Sequence, residues 1–119
     1  MPVRRQPRAA LVVFARAPQL GRVKTRLVPP LTPPQAHSFH IACIESTARL
    51  AASLPRSIEK WLYLTTEPVA GRRPRLPSSI RMGSQRGSDL GRRLEHAFRE
   101  RQRAGAERAV VIGSDSPML

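Results

Sequence analysis

Cysteine, aromatic side chains and acid are all scarce in this 119-residue chain. The single cysteine, Cys43, excludes an internal disulfide and any multi-cysteine zinc site. Set among helix-spaced apolar residues, it reads as a small buried hydrophobe. Three Phe, one Tyr and one Trp offer few rings for nucleic-acid bases, and no nucleic-acid-binding motif accompanies them. Long apolar runs are missing too. The longest, Ala9–Ala15, ends at Arg16, whereas a membrane-spanning helix needs about 20 apolar residues. Arg4, Arg5 and Arg8 look like the start of a signal peptide, but the apolar stretch after them is too short for one. The expectation is a cytoplasmic chain with no membrane span.

The shortage of acid leaves a large excess of base. Eight Asp and Glu face 21 Lys and Arg, giving a net charge of +13, and all but Lys24 and Lys60 of the basic residues are Arg. That charge implies anionic company: nucleic acid, phosphorylated metabolites or a membrane surface. The basic residues fall in nearly every segment, so no single stripe marks a nucleic-acid face. Asp89 and Asp115, the only aspartates, are correspondingly informative. Hydrophobic residues at 40% and charged residues at 24% fit a soluble globular chain rather than a disordered basic tail. The length allows one domain at most.

Residues 1–8 are basic and Pro-flanked and read as a flexible tail. Ala9–Ala15 is a short apolar run, the type of strand buried on both faces of a parallel sheet. Pro29, Pro30, Pro33 and Pro34 delay regular structure, and Thr32 is a plausible N-cap with Pro33 at the first helical position. Ala36, Phe39, His40, Cys43, Ile44, Thr47, Leu50, Ala51 and Leu54 then recur at helical spacing as one apolar stripe, which Pro55 stops. Residues 61–66 form a second strand, 67–79 a loop, and 80–82 a short edge strand. Leu90, Leu94, Ala97 and Phe98 share a helix face that ends at Gly105, and residues 109–112 form the last clear strand. The alternation of strands and helices predicts an α/β fold with a mostly parallel sheet. Ligands in such sheets bind beyond the carboxyl ends of the strands.

Three connectors lie at that edge, and each has two readings. Arg16, Arg22, Lys24 and Arg26 gather positive charge around Gly21. One such charge close to a phosphate is worth about 4 kcal/mol at an effective dielectric near 20. The connector is neither a Walker A loop nor GxGxxG, and the alternative is a solvated basic loop. Residues 113–117, Gly-Ser-Asp-Ser-Pro, place Asp115 just past a buried strand, where a carboxylate suits Mg²⁺ or Mn²⁺; the alternative is a plain turn. In residues 85–91, Ser88 or Asp89 either caps the following helix or helps set its N-terminus near an anion. His37 and His40 have metal-compatible spacing but no third ligand, and read as core or surface histidines. The arginines of the second helix read as a solvated face, interrupted by Glu95 and Glu100.

Three stretches in this order resemble a known family: residues 14–27 (Phe-Ala-Arg-Ala-Pro-Gln-Leu-Gly-Arg-Val-Lys-Thr-Arg-Leu), 85–94 (Gln-Arg-Gly-Ser-Asp-Leu-Gly-Arg-Arg-Leu) and 111–117 (Val-Ile-Gly-Ser-Asp-Ser-Pro). The chain is similar to the GT-A-like glycosyltransferases known as radical-SAM/selenodomain-associated transferases. That resemblance implies a three-layer, Rossmann-like, nucleotide-diphospho-sugar transferase fold. Residues 9–119 would be its N-terminal, nucleotide-binding part, incomplete at the C-terminus because the family continues into further strands. It implies nucleotide phosphates lined by Arg16, Gly21, Lys24, Thr25 and Arg26, and a loop of Gln85, Gly87 and Asp89 closing over the nucleotide. It places Asp115 as ligand to Mg²⁺ or Mn²⁺. The implied activity is transfer of a sugar from a nucleotide-sugar to an acceptor, with the expectation that this chain is inactive alone. A Lys-x-Arg-Leu loop and a strand-end Asp-x-Pro also resemble nucleotidyltransferases of the phospholactate guanylyltransferase type, which would transfer a nucleotidyl group instead. A basic nucleic-acid-binding module is the rival from another class and predicts steeply salt-dependent binding. An inactive truncated product, the remaining reading, predicts a chain without a cooperative melt. An uncovered last strand would invite self-association.

Overall fold

β1 (Ala9–Ala15) sends its side chains alternately to two buried faces, and that alternation organises the molecule. The computed structural model describes residues 8–114. On one face Val12 and Phe14 pack with Tyr63 and Ala97, and on the other Val13 and Ala15 pack with Ile44 and Leu62. Side-chain period 2 makes this possible only if both sides of the strand are covered.

The cover comes from two helices on opposite sides. α1 (Pro33–Ala52) contributes Ile44 to one core, and α2 (Leu90–Arg103) contributes Ala97 to the other. Between them lie β1, β2 (Ile58–Leu64), β3 (Ile80–Ser84) and β4 (Arg108–Gly113) in the order β3-β2-β1-β4. Every neighbouring pair is parallel. The fold is therefore a three-layer, Rossmann-like α/β arrangement, as expected. Among the described residues no helix is long and apolar enough to cross a membrane.

α1 starts where its sequence says. Thr32 accepts from the Gln35 N–H, and the Gln35 side chain accepts from the Thr32 N–H, a reciprocal capping box beside Pro33. The face it buries differs from the expected stripe. His37, Ile41 and Ala48 join the core, while Phe39, Leu50 and Leu54 are turned outward. The physical reason is polar. His37 Nε2 donates to the Ala70 carbonyl at 3.0 Å, and His40 Nε2 donates to the Arg16 carbonyl at 2.8 Å. A carbonyl only accepts, so both rings carry the proton on Nε2. A loop carbonyl accepting from each Nε2 offsets much of the cost of burying the two imidazoles.

The edge strand expected at 80–82 is a full five-residue parallel strand, and β2 begins earlier, at Ile58. No helix links β2 to β3. Residues 65–79 do so instead, held to α1 by Glu45, whose Oε2 accepts from the Arg75 N–H at 2.6 Å and pairs with Arg72 at 3.1 Å. The Arg75 N–H keeps the Glu45 carboxyl below its usual range, with Arg72 adding to the effect. Leu76 packs into the α1-side core. Proline and glycine exclude a helix here, and the segment covers the sheet as an irregular strap.

Arg8, the last residue of the expected tail, is tied down. Its carbonyl accepts from the N–H groups of Glu107 and Arg108, and its side chain pairs with Glu59 at 2.8 Å. The rest of that segment lies outside the described residues.

Candidate functional site

In strand order β1 leads through α1 to β2 on one side, and β4, reached through α2 on the opposite face, lies on the other. The winding reverses between β1 and β4. In open α/β sheets the crevice outside such a reversal, at the carboxyl ends of the strands, is the preferred ligand site. Two cavities open there. One, of about 490 Å³, is lined by Arg16, the 22–27 turn, Phe39 and His40. The second, of about 550 Å³, is lined at the strand ends by Ala15, Arg16, Thr65, Gln85 and Gly113, with Glu67 and Arg93 at its side. Arg16 belongs to both.

The first cavity gathers the expected phosphate-binding residues Arg16, Lys24, Thr25 and Arg26, together with Arg22. Its turn is a single 3-10 turn, Thr25–Leu27, closed by the Leu27 N–H donating to the Lys24 carbonyl at 2.9 Å. Lys24 itself sits in the left-handed region at φ 53°, unusual for a non-glycine residue and costly by about 1–2 kcal/mol. Gly21 leaves the preceding connector at φ +82° and would meet nothing with a Cβ, so backbone freedom is its role. It does not line the cavity.

The backbone beneath Arg16 is clamped from three directions. The Ala15 carbonyl accepts from the Gln85 side chain at 3.0 Å and from the Thr65 N–H at 3.2 Å. The Ala17 N–H donates to Thr65 Oγ1 at 2.8 Å, and His40 takes the Arg16 carbonyl. The result is an exposed guanidinium on a fixed stem.

The expected nucleotide-covering loop has an internal job as well. Gln85 is buried, and its Nε2 donates to the Ala15 and Tyr63 carbonyls at 3.0 and 2.9 Å, joining the ends of β1 and β2. Asp89 caps α2, its Oδ1 accepting from the Arg92 N–H at 2.8 Å. This is the capping contact expected of Ser88 or Asp89, made by Asp89. Gly87, at φ +140°, has no room for a Cβ: the Arg93 nitrogen would lie 2.8 Å away. Its carbonyl accepts from Arg93 Nε at 3.1 Å, which fixes Arg93 at the rim of the second cavity. The loop thus splits: Gln85 is at the second cavity, Gly87 and Asp89 are not part of its lining.

Glu67 escaped the sequence reading, and Arg93 was read only as part of a solvated helix face. Glu67 sits in a Pro-rich loop with no local signal, and Arg93, though inside the 85–94 stretch, is one of many arginines there. Thr65 donates to the Glu67 carboxylate, and this bond, with the positive charges of Arg16 and Arg93, holds its carboxyl below the usual range.

Asp115, the expected metal ligand, lies outside the described residues. Among the described residues no three His, Cys, Asp or Glu come together, and His37 and His40 use Nε2 on carbonyls. The described residues alone do not fit a divalent-metal cage.

The sequence family described as "Uncharacterized protein conserved in bacteria (DUF2064)" matches residues 47–119. The chain belongs to the DUF2064 family. A crystal structure from Desulfovibrio desulfuricans G20, of a protein carrying the provisional name nucleotide-diphospho-sugar transferase, superimposes with a TM-score of 0.76 at 25% identity. The match covers 96% of this chain and 50% of that one, so this DUF2064 chain spans half the length of its structural relative. No curated protein matches the chain. The GT-A-like, Rossmann-like architecture implied by the sequence motifs is the one found.

Proposed function

We propose that this DUF2064 chain carries the nucleotide-binding part of a transferase that uses a nucleotide-sugar. One observation carries the reading most: Arg16, Arg22, Lys24 and Arg26 converge on a single cavity at the β1 end of the sheet reversal. A cavity lined by those charges and, among the described residues, by no acid suits a diphosphate. The likeness to the Desulfovibrio protein supports the sugar-nucleotide class. Lys24, Arg26 and Arg16 would neutralise the charge that develops on a diphosphate leaving group, and their fixed backbone means little reorganisation as it forms. A divalent cation, Mg²⁺ or Mn²⁺, would be held by Asp115 and the ligand's own phosphates and would supply further neutralisation. The described residues add no metal-ligand set, and the cationic turn carries the neutralisation on the protein side.

The test is thermal unfolding of the chain with nucleoside diphosphates, nucleoside triphosphates and nucleoside-diphosphate-sugars, with and without Mn²⁺. A ligand selective for the folded state adds about 2.7 kcal/mol at a hundred times its dissociation constant. Stabilisation by a nucleotide-sugar, lost in Lys24→Ala, is the expected result. Stabilisation by triphosphates alone would move the assignment to nucleotidyl transfer. A cooperative melt that none of these ligands shifts would remove the reading. Asp115→Ala is expected to abolish any part of the stabilisation that depends on Mn²⁺.

A further inference from the structure

The arginines of α2, expected as a solvated face, are not spread evenly around the helix. Arg92, Arg99 and Arg103 line a single cavity of about 430 Å³, joined by Arg86 from the loop before the helix and by His96. Positions 92, 96, 99 and 103 recur at helical spacing and share one face. The residues α2 buries are others, Ala97 and Arg101, and its arginine at the strand-end cavity is Arg93. The 85–91 loop contributes to both cavities: Gln85 lines the strand-end one, Arg86 and Gly87 the one beside α2.

Two acids share the lining of the α2 cavity, and both already have partners. Glu100 accepts from the Tyr63 hydroxyl and lies 3.9 Å from Arg101. Glu95 pairs with Arg99 at 2.7 Å, both side chains being largely exposed. An exposed pair of that kind is worth little, so Arg99 can turn to a stronger anion. Arg86 and Arg103 make no ion pair among the described residues. His96 Nδ1 is buried without a hydrogen-bond partner among the described residues. A proton there would be a buried donor with no acceptor, so the ring carries its proton on Nε2 and donates from that side.

The ligand class follows from size, spacing and what the lining lacks. The volume falls within the roughly 300–1,000 Å³ of small-ligand sites. No Phe, Tyr or Trp lines the cavity, so a nucleic-acid base has no ring to stack on. Arg92 and Arg103 lie about 16 Å apart along the helix axis at 1.5 Å per residue. One phosphate cannot reach both ends, whereas a short chain of phosphates can.

We infer that the α2 cavity is a second anion site, for a small linear polyphosphate. Arg86, Arg99 and Arg103 supply charge and paired N–H donors to phosphate oxygens, and His96 Nε2 adds an uncharged donor. The site shares no residue with the cationic turn, so it stands apart from the nucleotide reading.

Calorimetric titration with inorganic tripolyphosphate tests it on three proteins: the unaltered chain, Lys24→Ala, and Lys24→Ala carrying Arg86→Ala and Arg103→Ala. Circular dichroism and a cooperative melt verify folding. Lys24→Ala should still bind tripolyphosphate, and the added pair should weaken that binding by about tenfold or more, the loss expected for hydrogen bonds to a charged group. Arg103→Gln, an exposed change near the end of α2, reads the same cavity should the pair fail to fold. A charge-matched control replaces the exposed Arg56 and Arg73 by Ala instead and should leave affinity unchanged. Equal weakening in that control overturns the site, because net charge alone would then hold the anion. No tripolyphosphate binding in Lys24→Ala also overturns it, and leaves the nucleotide reading standing. A DNA duplex that binds more tightly per phosphate than tripolyphosphate, and is lost with the same arginines, overturns the small-anion assignment in favour of nucleic acid.

Discussion

His40 donates from Nε2 to the main-chain carbonyl of Arg16 at 2.8 Å, across 24 residues of sequence. A buried helix histidine thereby fixes the backbone under the arginine shared by both cavities. The contact also explains why, of the two neighbours on the expected stripe, His40 is buried and Phe39 is turned outward. His40→Ala leaves the Arg16 carbonyl without this donor. Loss of about 1–3 kcal/mol in denaturant unfolding is expected, together with weaker pyrophosphate binding, although His40 itself does not carry the charge that binds.

Gln85 provides a sharper test through its charge. Gln85→Glu replaces two N–H donors with acceptors facing the Ala15 and Tyr63 carbonyls. The buried carboxyl should favour its protonated form, so its folded pKa rises above the unfolded value near 4.3. A group of that sign is least harmful below the unfolded pKa and costs increasing stability as pH rises through the folded one. Urea unfolding of the variant across acid to neutral pH should show that falling trend relative to the unaltered chain. A flat difference would mean that the side chain has left its buried position.

Asp89 is expected to matter to stability before it matters to ligands. Asp89→Ala should cost about 1 kcal/mol as a lost N-cap, whereas Asp89→Asn should retain most of it. Chemical denaturation of the two variants is the comparison to make.

Lys24 couples function to backbone strain. Lys24→Gly relieves a left-handed conformation costing about 1–2 kcal/mol but restores about 0.5–1 kcal/mol of unfolded-chain freedom. Stability should change little while pyrophosphate affinity falls. Calorimetric titration beside a melt checks both halves.

Tyr63 reports on the opposite face of the sheet. Burial, reinforced by its hydrogen bond to Glu100, pushes its pKa up from 10.0 to about 12, against the opposing charge of Arg101. The phenol's stabilising contribution is complete below pH 10 and lost as pH rises through about 12. It is the only tyrosine in the chain, so the ultraviolet phenolate signal is unambiguous. Glu100→Gln should lower the midpoint, because it removes a negative charge beside the phenolate.

Much of this protein was legible in one dimension. The apolar run Ala9–Ala15 determined a strand buried on both faces, because period 2 leaves no polar side. Thr32 and Pro33 determined where α1 begins, and Ser88 or Asp89 where α2 begins, because capping is local chemistry between residues three apart. The cationic cluster Arg16, Arg22, Lys24 and Arg26 was visible because its members are close in sequence. Tertiary structure decided what depends on distant partners. The rotation of α1 follows from carbonyls at Arg16 and Ala70, contacts with no sequence period. Glu67 and Arg93 share a cavity because parallel strands β2 and β3 end at the same sheet edge and α2 starts beside it. Gln85 became a clamp because its amide met two carbonyl oxygens from strands laid side by side. A linear pattern encodes neighbours along the chain; the two cavities that share Arg16 arise only when the sheet brings the strand ends together.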